Sequence, residues 1–196
     1  LSRAANSKKR LRLLQEIEIL KTLDHPNLVR VHESFEEQNH DVYVVMELLS
    51  GGELFDWILE QKDYRFIEPD ARAIMLQILD AVNYLHMNNL VHRDIKLENF
   101  MFASKEKDAQ LKLIDFGFSR TYLQGERIQR VAGTLYTMSP EVFDGNGSTA
   151  SDMWSVGVIA FIMLAGRRPF DHADDAVLRT LICEGKYRWP GMPWAS

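Results

Sequence analysis

The sequence predicts an α+β protein of two lobes, a small one that contains β-strands and a larger one that is mainly helical. Three observations carry this. Two β-rich runs, "LVRVHESF" and "DVYVVMEL", lie ahead of residue 50 and are separated by polar "EEQNH". A flexible "SGG" follows at 50–52. Helical periodicity dominates the remainder. The boundary is therefore drawn at "SGG", with residues 1–49 in the small lobe and 50–196 in the large one. Clefts between lobes are favoured ligand sites.

The elements follow in order. Residues 7–23 are expected to be helical, because Leu13, Leu14, Ile17 and Leu20 recur at helical spacing. "DHPN" ends that helix, since Pro26 disfavours helical geometry in His25. The two β-rich runs come next. Pro69 and Asp70 suit the first turn of a second helix, along which Ala71, Ile74, Ile78, Val82 and Leu85 mark one buried stripe. "NFMFA" and "LKLI" read as short strands joined by the charged loop "SKEKDA". Residues 118–150 show no strong period and are rich in Gly, Ser and Thr, as long functional loops are. "SDMWSVGVIAFIMLAG" is apolar all round and is expected to be a buried helix. "ADDAVLRTLICEG" is amphipathic, with acidic residues at its start and Gly185 at its end.

With 46% apolar and 26% charged residues, the 196-residue chain can bury a core. A net charge of −5 argues against broad nucleic-acid binding, and basic "KKRLRL" reads as a solvated helix face. The single cysteine, Cys183, permits no intrachain disulfide, and its apolar neighbours predict a packed thiol. The longest apolar run, 156–165, is too short for a membrane span, which needs about 20 residues. Leu1 is not a start methionine and no signal-peptide pattern follows, so the chain is expected to begin within a longer protein.

Chemistry concentrates in "HRDIKLENF", 92–100, and "IDFG", 114–117. Phosphoryl transfer needs a proton acceptor for the attacking hydroxyl, hard oxygen ligands for a metal ion and a cation for developing charge. Asp94 can accept the proton. Lys96, two residues on, can lie beside it over a phosphate. Asn99 offers a carbonyl oxygen and Asp115 a carboxylate to a metal, with Gly117 free to bend the chain.

These residues resemble the signatures of eukaryotic protein kinases. The pattern H-R-D-L-x-x-x-N is met with Ile95 for Leu, and D-F-G is intact. "MELLSGGELFDWI", "GTLYTMSPEV" and "SDMWSVGVI" stand in the order kinases use. The resemblance implies a bilobal protein-kinase-like fold and transfer of the γ-phosphoryl group of ATP, with Mg2+, to protein Ser or Thr hydroxyls. It makes Asp94 the catalytic base and Asn99 and Asp115 the magnesium ligands. Lys96 then steadies the γ-phosphate, at the offset of the serine/threonine class. "GGELFDWI", "ENFMF", "GRRPF" and "CEGKYRWP" look most like the calcium/calmodulin-dependent and calcium-dependent branch. That implies calcium or calmodulin regulation through regions outside this chain, and a cytoplasmic, also nuclear, location. No calcium-binding loop is found here: "DGNGSTASD" has Thr149 where the loop needs Gly.

The resemblance also assigns the ATP site. Glu16 of "QEIEIL" looks like the helix glutamate that pairs with the phosphate-binding lysine, with Glu18 as its neighbouring alternative and the register with "IL" favouring Glu16. Met46 looks like the residue behind the adenine pocket. Glu47 and Leu49 would offer backbone groups to adenine, with Met101 and Val44 as apolar neighbours. Glu53 would touch the ribose or a basic substrate residue. Asp152 would brace the catalytic loop, and Thr134 would hydrogen-bond near Asp94. Residues 115–141 would be the activation segment, in which Arg93 could pair with an anion at phosphorylated Thr121 or at Glu126, and Glu141 of "SPE" would brace. No G-x-G-x-x-G loop or strand lysine precedes residue 16. The chain by itself is thus expected to be a weak or inactive piece of a catalytic domain, and a pseudokinase or scaffold is the alternative.

Overall fold

A computed structural model describes residues 14, 17–36, 41–123, 125–129 and 131–187. Glu16, most of the first expected helix and the turn between the β-rich runs lie outside them. Within them, a helical segment at 17–22 (α1) stops before "DHPN". Strands β1 (Val31–Glu36) and β2 (Val42–Met46) pair antiparallel, with a bulge between Val31 and Glu33. The first β-rich run thus enters the hairpin later than its hydrophobicity suggested. Leu28 bridges to Leu113 instead, and Val29 N donates to Leu113 O at 3.0 Å. That link ties the region before β1 to the strand that leads into Asp115.

After "SGG" come α2 (Leu54–Leu59) and α3 (Glu68–Met87). Pro69 sits in the first turn of α3, where a missing N–H costs nothing. The expected stripe of Ala71, Ile74, Ile78, Val82 and Leu85 is buried, joined by Ala81. It packs on the strand Leu111–Leu113 and on the helix Thr149–Ala165. Strand β3 (Leu90–Val91) pairs with β6 (Arg120–Thr121), and β4 (Phe100–Phe102) with β5 (Leu111–Leu113), both antiparallel. The fold class is α+β, with small antiparallel sheets against a helical body. The segment without sequence period holds β6, a 3-10 turn at Leu135–Thr137 and α4 (Pro140–Phe143).

Helix α5 (Thr149–Ala165) opens on a capping box between Ser148 and Ser151 and closes on Gly166 at φ +70°. The all-round burial expected of it is corrected. Met153 is 44% exposed and Gly157 faces solvent, while polar Ser151, Asp152 and Ser155 are buried. Hydropathy reads a helix's average, and these polar side chains are inside because each has a partner there: Asp152 the backbone of His92 and Arg93, Ser151 the Glu141 carboxylate and Ser155 the Thr137 carbonyl. Helix α6 (Asp175–Cys183) is capped by the Asp174 carboxylate, which accepts from Ala176 N and Val177 N. Its Cys183 thiol is exposed, against the expectation of a packed one. Ile182 takes the inward position, and the next residue turns about 100° away. No helix among the described residues is long and apolar enough to cross a membrane.

Candidate active site

The loop after β3 and the segment around Thr134 bring three polar side chains onto one carboxylate. Asp94 is 3% exposed. Thr134 Oγ1 donates to its Oδ1 at 2.7 Å. Lys96 Nζ lies 3.0 Å from its Oδ2 and donates to Thr134 Oγ1 at 3.1 Å. Asn99 Nδ2 donates to the Asp94 carbonyl at 2.8 Å and reaches its Oδ2 at 3.3 Å. A 3-10 turn, Leu97–Asn99, bends the chain so that residues two and five positions on can face Asp94. Gly133 puts Thr134 in place: its φ is +110°, and a Cβ there would overlap the Arg93 carbonyl oxygen.

The loop's backbone is held from beneath. Buried Asp152 accepts from His92 N at 2.9 Å and Arg93 N at 2.8 Å, and His86 Nε2 lies 2.9 Å from its Oδ2. The bracing expected of Asp152 is therefore present. His86 was not anticipated; its one sequence signal is a histidine in the last turn of a helix whose stripe is otherwise apolar. His92 is fully buried, with its ring edge-on to Phe116 at 5.2 Å and its Nδ1 accepting from Asp94 N at 3.3 Å. Burial lowers its pKa from 6.5 despite the opposing pull of Asp152, Asp94 and Asp115, so the ring is neutral.

The two candidate metal ligands approach each other through the backbone. Ile114 N donates to Asn99 O at 3.0 Å, which sets Asp115 beside the catalytic loop. Asp115 is exposed, and its Oδ1 accepts from Gly117 N at 2.9 Å. With Nδ2 of Asn99 committed to Asp94, its Oδ1 remains to accept. One exposed carboxylate and one amide oxygen fit Mg2+, which takes few protein ligands and shares the rest with water and phosphates. No cage of three or more His, Cys, Asp or Glu occurs among the described residues.

The adenine-side residues are distributed as follows. Glu47 N donates to Arg30 O at 3.0 Å, and the Glu47 side chain accepts from Arg30 N at 2.7 Å. Lys112 Nζ, on β5, meets the same carboxylate at 2.8 Å with only a tenth of its side chain exposed. Lys112 escaped the sequence reading because a lysine in a short strand looks like an outward residue. The Glu47 carbonyl and both backbone groups of Leu49 have no backbone partner among the described residues, so this edge can bond a planar base. Glu53 bridges to Met101, whose strand partner is Lys112. Met46 ends β2 opposite Val31 and is 46% exposed, and Val44 lies nearer the middle of that strand.

In the segment after Asp115, Arg93 Nε donates to Phe118 O. Glu126 pairs with Arg120 and accepts from Leu123 N at 3.2 Å, so its observed cation is Arg120. Thr121 lies exposed on β6. Glu141 accepts from Ser151 Oγ at 2.8 Å; burial raises its pKa, but hydrogen bonds to the carboxylate outweigh this and hold it below the usual range.

Comparison with known proteins identifies relatives of this sequence. A family model described as protein kinase domain matches residues 1–189. A CDPK-related protein kinase of Daucus carota is 43% identical over 183 residues, covering 93% of this chain and 30% of the relative. CDPK-related kinase 7 of Arabidopsis thaliana is 42% identical, covering 93% and 31%. Calcium-dependent protein kinase 3 of Plasmodium yoelii yoelii is 40% identical over 193 residues, covering 96% and 35%. The chain spans about a third of the length of these curated relatives.

Proposed function

The chain belongs to the protein kinase domain family, and from that premise we propose that its protein transfers the γ-phosphoryl group of ATP to Ser or Thr hydroxyls of protein substrates. The observation that carries the reading is the Asp94 carboxylate held by Thr134, Lys96 and Asn99 beside Asp115.

Each residue then has a task. Asp94 accepts the acceptor hydroxyl's proton as that oxygen attacks the γ-phosphorus; the bond to the bridging oxygen breaks, ADP leaves with the electron pair, and Asp94 then releases the proton to solvent. Thr134 and Asn99 orient the carboxylate without consuming every lone pair. Lys96 places an ammonium where charge collects, and its offset from Asp94 supports the Ser/Thr class. Asn99 Oδ1 and Asp115 would hold Mg2+. Bound ATP and Mg2+ supply the transferable group and neutralise its charge. The free backbone edge at Glu47 and Leu49 would take adenine, with Met46 and Met101 flanking it and Glu53 near the ribose or substrate. Glu16 would anchor the phosphate-binding lysine.

A division into two lobes near residue 50 is part of this proposal. So is a cytoplasmic location, supported by the family resemblance and the single cysteine. Relatives named calcium-dependent support calcium control through regions outside residues 1–196. The test is labelling of a general protein substrate by the full-length protein with γ-labelled ATP. Phosphoserine or phosphothreonine that disappears on chelating Mg2+ is expected. Label confined to tyrosine, or no label, overturns the reading.

A further inference from the structure

A small cavity lies where the first turns of α5 meet the segment that precedes that helix. It holds about 20 Å³, against roughly 10–15 Å³ for a single water. Ile128, Met138 and Val142 give it apolar walls. Ile128 N donates to Gly147 O at 2.9 Å and Gly147 N to Ile128 O at 3.3 Å, so two of the lining residues are joined to each other. The rest of the lining is polar, with Ser139, Ser148, Ser151 and Ser155 all contributing.

The charged groups at its edge are already engaged. Asp152 accepts from His92 N and Arg93 N and meets His86, and Arg93 Nε donates to Phe118 O. The cavity therefore suits a neutral guest. Its hydroxyls are less fully used. Ser151 Oγ accepts from Ser148 N and donates to Glu141. Ser148 Oγ accepts from Ala150 N at 3.2 Å, and its own hydrogen has no acceptor among the described residues. Ser155 Oγ donates to Thr137 O at 2.7 Å and keeps its lone pairs. Ser139 stands apart from these three. It is 1% exposed, and its Oγ has no hydrogen-bond partner. It helps hold the Glu141 carboxylate's pKa low, but without reaching hydrogen-bond geometry. A buried hydroxyl left unbonded is costly, so such groups carry a partner, either protein or water.

We propose that this cavity is a hydration site for one water, bonded to Ser139, Ser148 and Ser155, and that Ser139 is thereby a positioning residue for phosphoryl transfer. Three polar partners and a volume near that of one water are what a buried water requires. The surrounding bonds give the water its task. Thr137 N and Oγ1 both donate to Thr134 O at 3.2 Å, and Thr134 Oγ1 in turn holds Asp94. Ser155 grips this segment at Thr137 O. The water grips it again at Ser139, so that the segment carrying Thr134 is fixed to α5 at two points. The hydration site stands on the cavity and the orphan hydroxyl, while the positioning role rests on the kinase reading.

Crystals of the full-length protein and of its Ser139→Ala variant read the site without requiring catalysis. In the parent, a density peak is expected within hydrogen-bond distance of Ser139 Oγ and of Ser148 or Ser155; in the variant it should be lost. Hydrogen exchange of the amides from 134 to 142 should quicken about tenfold in Ser139→Ala, while the amides of α3 keep their rates. On the kinase reading, kcat for a peptide should fall about fivefold, with KM for ATP and the urea midpoint of unfolding little changed. A residue that only packs would move the urea midpoint instead. A dry cavity, or a Ser139 hydroxyl bonded directly to Glu141, overturns the site. An ordered water with exchange and kcat both unchanged in Ser139→Ala overturns the positioning role. Water and quickened exchange in a protein that transfers no phosphoryl group support the site while sinking the kinase reading.

Discussion

At the scale of single residues, Asp94 and its contacts make the strongest demands. Replacing Thr134 by Ala removes the 2.7 Å donor to the base and frees Lys96 from one of two partners. Transfer by Thr134→Ala is expected to fall about tenfold or more, with Thr134→Ser restoring most of it; steady-state kcat of the full-length proteins checks this. His92 makes a pH prediction. Its folded pKa is depressed below 6.5, so acid protonates the unfolded chain first. The native state binds fewer protons there, and stability falls as pH drops below about 6.5, with a limiting slope of ~1.4 kcal/mol per pH unit. Chemical denaturation between pH 7.5 and 5.5 should show that loss, and His92→Phe should make the curve flatter. Groupings within one loop were legible in the sequence because Asp94, Lys96 and Asn99 are neighbours in the chain. His86 with Asp152, and Tyr136 with Glu98, were not. Each pair joins residues dozens of positions apart, and no local pattern marks them.

At the scale of elements, periodicity did best where one face meets the core. The α3 stripe is the clearest case, because a 20-residue helix averages out local irregularity. It did worst for α5, whose sequence says only that the helix is apolar. The structure shows that its inward polar residues hold two segments: Asp152 takes two backbone N–H groups of the loop at 92–93, while Ser151 meets Glu141 and Ser155 donates to Thr137 O at 2.7 Å. Asp152→Ala is accordingly expected to cost about 3 kcal/mol in unfolding free energy, since the buried His92 N–H, the half-buried Arg93 N–H and His86 lose their acceptor. Urea denaturation measures it. At the end of the same helix, Gly166→Ala combines a left-handed backbone with overlap at Asp63, and should cost roughly 1–3 kcal/mol by the same measurement.

At the scale of the whole molecule, the segment after β2 is tied to the strand leading into Asp115. Glu47 accepts from Lys112 on β5 and from Arg30 N ahead of β1. One carboxylate thus fixes the backbone edge at Glu47–Leu49 relative to the end of β5 that leads into Asp115. Lys112→Met should raise KM for ATP severalfold while leaving peptide KM near its normal value. The motif order across the chain made the α+β class and the family legible, but not this tie, which joins residues 65 positions apart in the chain, Glu47 and Lys112. On the kinase reading, Asp94 is the proton acceptor in phosphoryl transfer to a hydroxyl. The comparison that tests this role is kcat for the full-length protein against Asp94→Asn, which keeps the shape and loses the basicity. A fall of about 10²–10⁴ with peptide KM little changed is the predicted result. Transfer by Asp94→Asn within threefold of the parent protein would contradict it.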